Sequence, residues 1–250
     1  MKSEPEKTRI FVETTLKEGE VLTIPQKQEH YLLDVLRLKR GALISLFNGH
    51  DGEFVGKLQS AKKKNCSVQV EVRIRPQERT RDLTLLFAPV KKARLDFIAQ
   101  KASELGVKTI WPVKTDYCQI SRVNERRLVS NSIEAAEQTG RLDVAQVMPF
   151  EGLGNVLRLL EPDRLLIWCD EDSSEHFSLN IVDVLFSLPK HEKAAILVGP
   201  EGGFSSQERK SLEEQNNCLK ISLGPRILRA DTAAISALSI YQSICGDWRG

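Results

Sequence analysis

The stretch 83–106, LTLLFAPVKKARLDFIAQKASELG, decides the fold. Its first eight residues are a continuous apolar run, which is what a strand buried on both faces requires. Behind it, Leu95, Ile98, Ala99, Ala102 and Leu105 stand at i, i+3, i+4, i+7 and i+10, one stripe of an α-helix, and Gly106 supplies a C-terminal cap. TIWPV at 109–113 is the next strand. Asn124 caps a helix through Leu128, Ile133 and Ala136 that Gly140 stops. LLIWC (165–169), AAILVG (194–199) and LKISLG (219–224) are further buried strands. Ser205-Ser206-Gln207-Glu208 is a capping box that opens a helix to about Asn216, and a last helix runs from about Asp231 to Cys245. This alternation predicts an α/β fold, a parallel sheet covered by helices, over residues 82–250.

Upstream the period changes. RIFV (9–12), VLTI (21–24), ALISLF (42–47), GEFVGKL (52–58) and SVQVEVRI (67–74) are short β-type runs. In the last, Val68, Val70, Val72 and Ile74 are expected on one face and Gln69, Glu71 and Arg73 on the other. Asn48-Gly49-His50-Asp51-Gly52 is a turn joining antiparallel strands. A helix is expected at about 27–38, with His30, Leu33 and Arg37 along one side. Five short strands in some 70 residues indicate a small β-barrel, 1–75. The polar segment 76–81, PQERTR, is the expected linker to the domain 82–250.

The chain has 250 residues and a formal net charge of only +2, but the charge is divided unevenly. Residues 1–81 hold 16 Lys and Arg against 11 Asp and Glu, a net of +5, and residues 82–250 hold 20 against 23, a net of −3. Seven of the basic residues fall in 62–81. A basic barrel beside a near-neutral body points to an anionic partner, nucleic acid first, while lysines guarding a strand edge remain the plainer account. No apolar run is long enough to span a bilayer. The start, MKSEPEKTR, lacks the apolar core of a secretory leader, and five scattered cysteines without a CxxC pair fit a reducing cytoplasm.

Two strand ends are richly decorated: Val198-Gly199-Pro200-Glu201-Gly202-Gly203-Phe204, and Leu223-Gly224-Pro225-Arg226-Ile227-Leu228-Arg229-Ala230-Asp231-Thr232. In open α/β sheets ligands bind beyond the carboxyl ends of the strands. Glycines there leave main-chain groups unshielded, able to read a purine ring, although a single Gly-Pro turn is usually no more than a turn. Phosphate-cradling GxxxxGK[ST] and GxGxxG are absent, as is GxSxG. His30, His50, His176 and His191 form no metal pair. Asp170-Glu171-Asp172 reads as a solvated loop before it reads as a magnesium site, so no metal is expected. The run 134–141, EAAEQTGR, places Glu134, Glu137 and Gln138 along one helix side with Arg141 just past the glycine. As a bland helix end, Arg141 would only complement the dipole.

Taken together, HYLLDVLRLKRG (30–41), FNGHDGEF (47–54), QKASELGVKTIWPV (100–113), EAAEQTGR (134–141), VGPEGGFSSQE (198–208) and LGPRILRADTA (223–233) resemble the RsmE family of SPOUT-class RNA methyltransferases over nearly the whole chain. The resemblance implies a PUA-like N-terminal barrel that grips RNA and a C-terminal SPOUT domain tied in a trefoil knot. It implies a cytoplasmic homodimer that methylates N3 of a uridine in 16S ribosomal RNA of the small subunit, with S-adenosylmethionine as donor. It places the donor against Leu197, Gly199, Pro200, Glu201, Gly202, Gly203, Leu223, Gly224, Ile227, Leu228 and Thr232. Arg229 and Arg141 become the catalytic candidates, with Glu137 behind them, and Arg9, Arg37, Lys39, Arg40 and Lys62 the RNA contacts. Two runs depart from the family pattern: TDYCQISR at 115–122 lacks its ERS-like run, and VAQV after Arg141 lacks a common proline.

Overall fold

The computed structural model describes residues 8–170, 179–187 and 193–249. The chain forms two compact units, one of residues up to Arg79 together with Ala136–Val144, the other of Thr80–Ala135 with Ala145–Gly250.

In the first unit β1 (Arg9–Phe11), β2 (Val21–Thr23), β3 (Leu43–Phe47), β4 (Glu53–Lys62) and β5 (Asn65–Arg75) form one sheet in the order β1-β3-β4-β5-β2. Only the β1–β3 pairing is parallel. Its core gathers Ile10, Leu32, Ile44, Leu46, Leu58, Val68 and Val70, all 1% exposed or less. The β3–β4 turn closes as its residues dictate. Asn48 Oδ1 accepts the N–H groups of His50 (3.0 Å) and Asp51 (2.9 Å), and Gly49 and Gly52 take φ of +88° and +93°.

Two expectations fail here, each for a local reason. Val72 and Ile74 are 42% and 43% exposed, not core. Gly56 pairs with Val70 and Phe54 with Arg73, so β5 spends three residues where β4 spends two. That extra residue is a bulge, a second shift follows where Glu53 pairs with Arg75 and Phe54 with Arg73, and together they take Val72 and Ile74 off the core face. The helix of 27–38 is also interrupted. α1 covers only Gln26–His30, a π-helical turn follows at Tyr31–Val35, and Arg37 sits at φ +56°. The wider turn and the reversal at Arg37 break the stripe of His30, Leu33 and Arg37.

The second unit carries β6 (Asp82–Phe87), α2 (Lys92–Glu104), β7 (Thr109–Lys114), most of α3 (Glu125–Thr139), β8 (Gln146–Val147), β9 (Glu151–Gly152), α4 (Leu153–Leu159), β10 (Leu165–Cys169), β11 (Leu179–Asn180), α5 (Ile181–Ser187), β12 (Lys193–Val198), α6 (Ser206–Glu213), β13 (Cys218–Ser222) and α7 (Ala230–Ile244). The sheet order is β11-β13-β10-β12-β6-β7-β8, with β9 beside β7, and every pairing among the described residues is parallel. Both faces are covered. Leu83, Leu85, Phe87, Leu165, Ile167, Ile196 and Val198 join the α2 and α7 side, while Leu86, Trp168, Ala195, Leu197 and Phe204 join the α4 and α6 side. This two-sided burial is why the strands are apolar runs without alternation. Caps fall where the residues predict: Asn124 Oδ1 accepts the Arg127 N–H at 3.1 Å, and Gly106 and Gly140 take φ of +77° and +79°.

Candidate active site

The two glycine-proline loops follow β12 and β13, and they meet around one cavity of about 840 Å3 at the carboxyl ends of β10, β12 and β13. Pro200 O accepts the Gly203 N–H at 2.9 Å, turning the first loop back, with Gly203 at φ +68°. A Cβ on Gly199 would lie 2.7 Å from the Phe204 ring, which itself packs edge-on against Trp168. Glycine at 199 therefore lets the loop lie on its own aromatic. In the second loop Gly224 sits at φ +110°, where a Cβ would meet nothing within 4 Å, so its backbone faces open space.

Of the residues expected to hold a cofactor, Gly199, Pro200, Glu201, Gly202, Gly203, Leu223, Gly224, Ile227 and Leu228 line this cavity. Leu197 and Thr232 do not line it. Leu197 is fully buried on the α4 and α6 face of the sheet, opposite its neighbour Val198, and Thr232 is exposed in the first turn of α7, its N–H on the Asp231 carboxylate at 3.0 Å. Alternation along β12 explains the first difference, since the neighbour of a cavity-facing residue points away.

The floor holds charges that local patterns did not reveal. Asp170, its side chain 1% exposed, directly follows β10 and pairs with Arg209 of α6 and with Lys220 of β13, the latter at 3.3 Å. Arg209 also donates to Phe204 O at 3.2 Å, so the floor charge pulls on the first loop. The acidic character of 170 was legible, but its partners lie 39 and 50 residues away (209 − 170 and 220 − 170). Glu171, Asp172, His176 and His191 lie outside the described residues. Among the described residues no three His, Cys, Asp or Glu side chains cluster as metal ligands would. Cys169 borders the cavity, but burial and then the charge of Asp170 push its thiol up to about 12, which disarms it as a nucleophile. At the rim Arg94 pairs with Glu201 at 3.2 Å and with Asp231 at 3.9 Å. Arg229, the N-cap residue of α7, is exposed.

The other candidates belong to the first unit. Glu137 Oε1 accepts the Phe11 N–H at 3.0 Å, and Arg141 pairs with Asp143 at 3.0 Å. Arg9 turns inward, contrary to its expected place on RNA. Its side chain is 12% exposed, and its guanidinium lies 4.5 Å from the Phe47 ring centroid and donates to Glu53 (2.7 Å) and to the carbonyls of Ala136 and Arg141 (both 2.6 Å). With Arg75, which donates to Gly140 O at 2.9 Å, it satisfies carbonyls at the end of α3 that have no partner within the helix. Arg37, Lys39, Arg40 and Lys62 are all exposed. Glu29 binds the N–H groups of Lys64 (2.8 Å) and Cys66 (3.2 Å), and Asp34 pairs with Lys63 at 2.9 Å, so the lysine hairpin is fastened to the segment that ends in Arg37.

Residues 77–242 match the family described as RNA methyltransferase domain, and residues 24–71 match RNA methyltransferase PUA domain. The chain is 34% identical to the ribosomal RNA small subunit methyltransferase E of Rickettsia conorii, over 92% of this chain and 93% of that protein. It is 30% identical to the protein of the same name from Bacillus subtilis, over 92% and 94%. Among solved structures, the Neisseria gonorrhoeae ribosomal RNA small subunit methyltransferase E bound to S-adenosylmethionine superposes with a TM-score of 0.86 at 26% identity, covering 96% of this chain and 99% of that one. A Legionella pneumophila methyltransferase in complex with the same cofactor also gives 0.86, at 29% identity and 97% and 99% coverage.

Proposed function

The chain belongs to the ribosomal RNA small subunit methyltransferase E family, and from that premise we propose that it methylates N3 of a specific uridine in 16S ribosomal RNA with S-adenosylmethionine as donor. The observation that carries this reading is the closing of two glycine-proline loops on one cavity at the carboxyl ends of β10, β12 and β13. The size suits a nucleoside-sized ligand. Gly224, whose N–H and C=O both meet the Ser222 hydroxyl (3.2 and 3.3 Å), and the glycines of 199–203 keep side-chain bulk off the cavity, so an adenine and ribose can approach the main chain of both loops. Gly199, Glu201, Gly202, Leu223, Gly224, Ile227 and Leu228 would hold the donor, whose sulfonium supplies an electrophilic methyl.

The protein's own task is then to present N3 in line and to favour its deprotonated form. Uridine N3 holds its proton well above neutral pH, so positive charge beside the flanking base oxygens lowers the barrier. We assign that charge to Arg229, exposed at the start of α7 directly after the second loop. Arg141 and Glu137 are held in the first unit by Asp143 and Phe11, and in a homodimer they would act by exchanging those partners for substrate. Residues 1–75 serve as the RNA grip through Arg37, Lys39, Arg40 and Lys62, 76–81 as linker, and 82–250 as the methyltransferase body with its trefoil knot. A sheet in which β13 lies beside β10 and β12 on β10's other side is compatible with that knot. The cytoplasm, where ribosomes assemble, is the proposed location.

Calorimetry tests the donor site. S-adenosylmethionine titrated into the protein is expected to bind once per chain, and Gly199→Ala to weaken it at least tenfold by driving a methyl into Phe204. No binding by the pure protein would instead favour an RNA-binding assembly factor.

A further inference from the structure

After β7, residues 115–118 form a braced turn against the first cavity loop. Cys118 N–H donates to Thr115 O at 3.1 Å and closes the turn, with Asp116 and Tyr117 at its tip. Asp116 is fastened twice to the start of α6. Its N–H donates to Glu208 Oε1 at 2.8 Å, and its carboxylate accepts the Ser205 hydroxyl. Glu208, itself buried, uses its other oxygen for the Ser205 N–H at 2.9 Å, completing the capping box. On the far side the Cys118 thiol reaches Pro89 O at 3.6 Å. The backbone at the tip is therefore fixed, yet Tyr117 is 52% exposed.

The position of that ring gives it a use. A Cβ on Gly202 would lie 3.3 Å from Tyr117 Cβ and 3.7 Å from its Cγ and Cδ2, so the side chain rests on the bare backbone of a glycine that lines the cavity. A rigidly mounted aromatic beside a ligand cavity is a stacking platform. It offers a π-face at little entropic cost, and single-stranded bases stack on such rings irrespective of sequence. A base must leave its stack to reach a cavity of this kind.

We propose that Tyr117 is a substrate-binding residue on which the extruded target base of the RNA stacks, next to the loop that holds the methyl donor. The proposal deepens the methyltransferase reading and rests on it.

The test compares wild type, Tyr117→Ala and Tyr117→Phe for S-adenosylmethionine affinity, melting temperature, and KM and kcat on unmethylated small subunits. Tyr117→Ala is expected to raise KM for RNA roughly tenfold with donor affinity and melting temperature unchanged, and Tyr117→Phe, which keeps the ring, to recover most of that loss. An unchanged KM, or a loss of donor affinity that parallels the loss on RNA, would overturn the proposal while leaving the methyltransferase intact. Wild type inactive on every RNA would sink the proposed function itself. In that event a Tyr117→Trp variant still decides, since single-stranded oligouridine quenches its fluorescence if a base stacks there, and unaltered emission relative to a Trp-free site control overturns the platform.

Discussion

Cys169 lines the cavity between the two glycine-proline loops with a thiol pushed up to about 12, and Cys218 is raised to about 12 as well, both by burial first. Thiolates, not thiols, attack alkylating agents, so both should stay unlabelled by iodoacetamide at pH 8 in the folded protein and react once it is unfolded. Rapid labelling of Cys169 in native protein, read by peptide mass, would contradict the placement. The sign for stability follows. Below pH 9 folded and unfolded thiols are both protonated and nothing changes, whereas between pH 9 and 12 the unfolded chain sheds protons the folded one keeps. These thiols therefore lower stability as pH rises through that window. Arg9 marks what one residue hides in sequence. Its charge is legible, but the carbonyls of 136 and 141 that absorb it are more than a hundred positions away.

At the scale of elements, the capping box at 205–208 was readable because its two halves are three residues apart, and α6 begins there with both bonds made. Its clamp on Asp116 was not readable, since nothing at 116 announces a partner at 205. Ser205→Ala thus removes a helix cap and one tether of the Tyr117 turn together. It is expected to cost about 1–2 kcal/mol in chemical denaturation, against near zero for exposed Ser206→Ala. A cost equal to that of Ser206→Ala would contradict the clamp. The bulge in β5 was equally silent. The alternation of Val68, Val70, Val72 and Ile74 predicts one face, and only the pairing with β4 reveals the two added residues that expose Val72 and Ile74. Strands of two residues, β8, β9 and β11, carry too little pattern to be seen at all.

Across the whole molecule, strand–helix alternation made the parallel sheet legible, because burial on both faces writes itself as continuous apolar runs. The membership of Ala136–Val144 in the first unit was not legible, because it joins residues that the chain order separates. The charge division survives as the electrostatic argument for RNA: the +5 of residues 1–81 includes the exposed Arg37, Lys39, Arg40 and Lys62. The central claim is methyl transfer to N3 of one uridine. It is tested most directly by incubating unmethylated small subunits with the protein and S-adenosylmethionine and mapping reverse-transcription stops along 16S RNA. A methyl on N3 blocks Watson–Crick pairing, so one new stop at a single uridine is expected, dependent on the donor and lost in Arg229→Ala. Donor-dependent methylation that leaves no stop at any uridine would contradict the account.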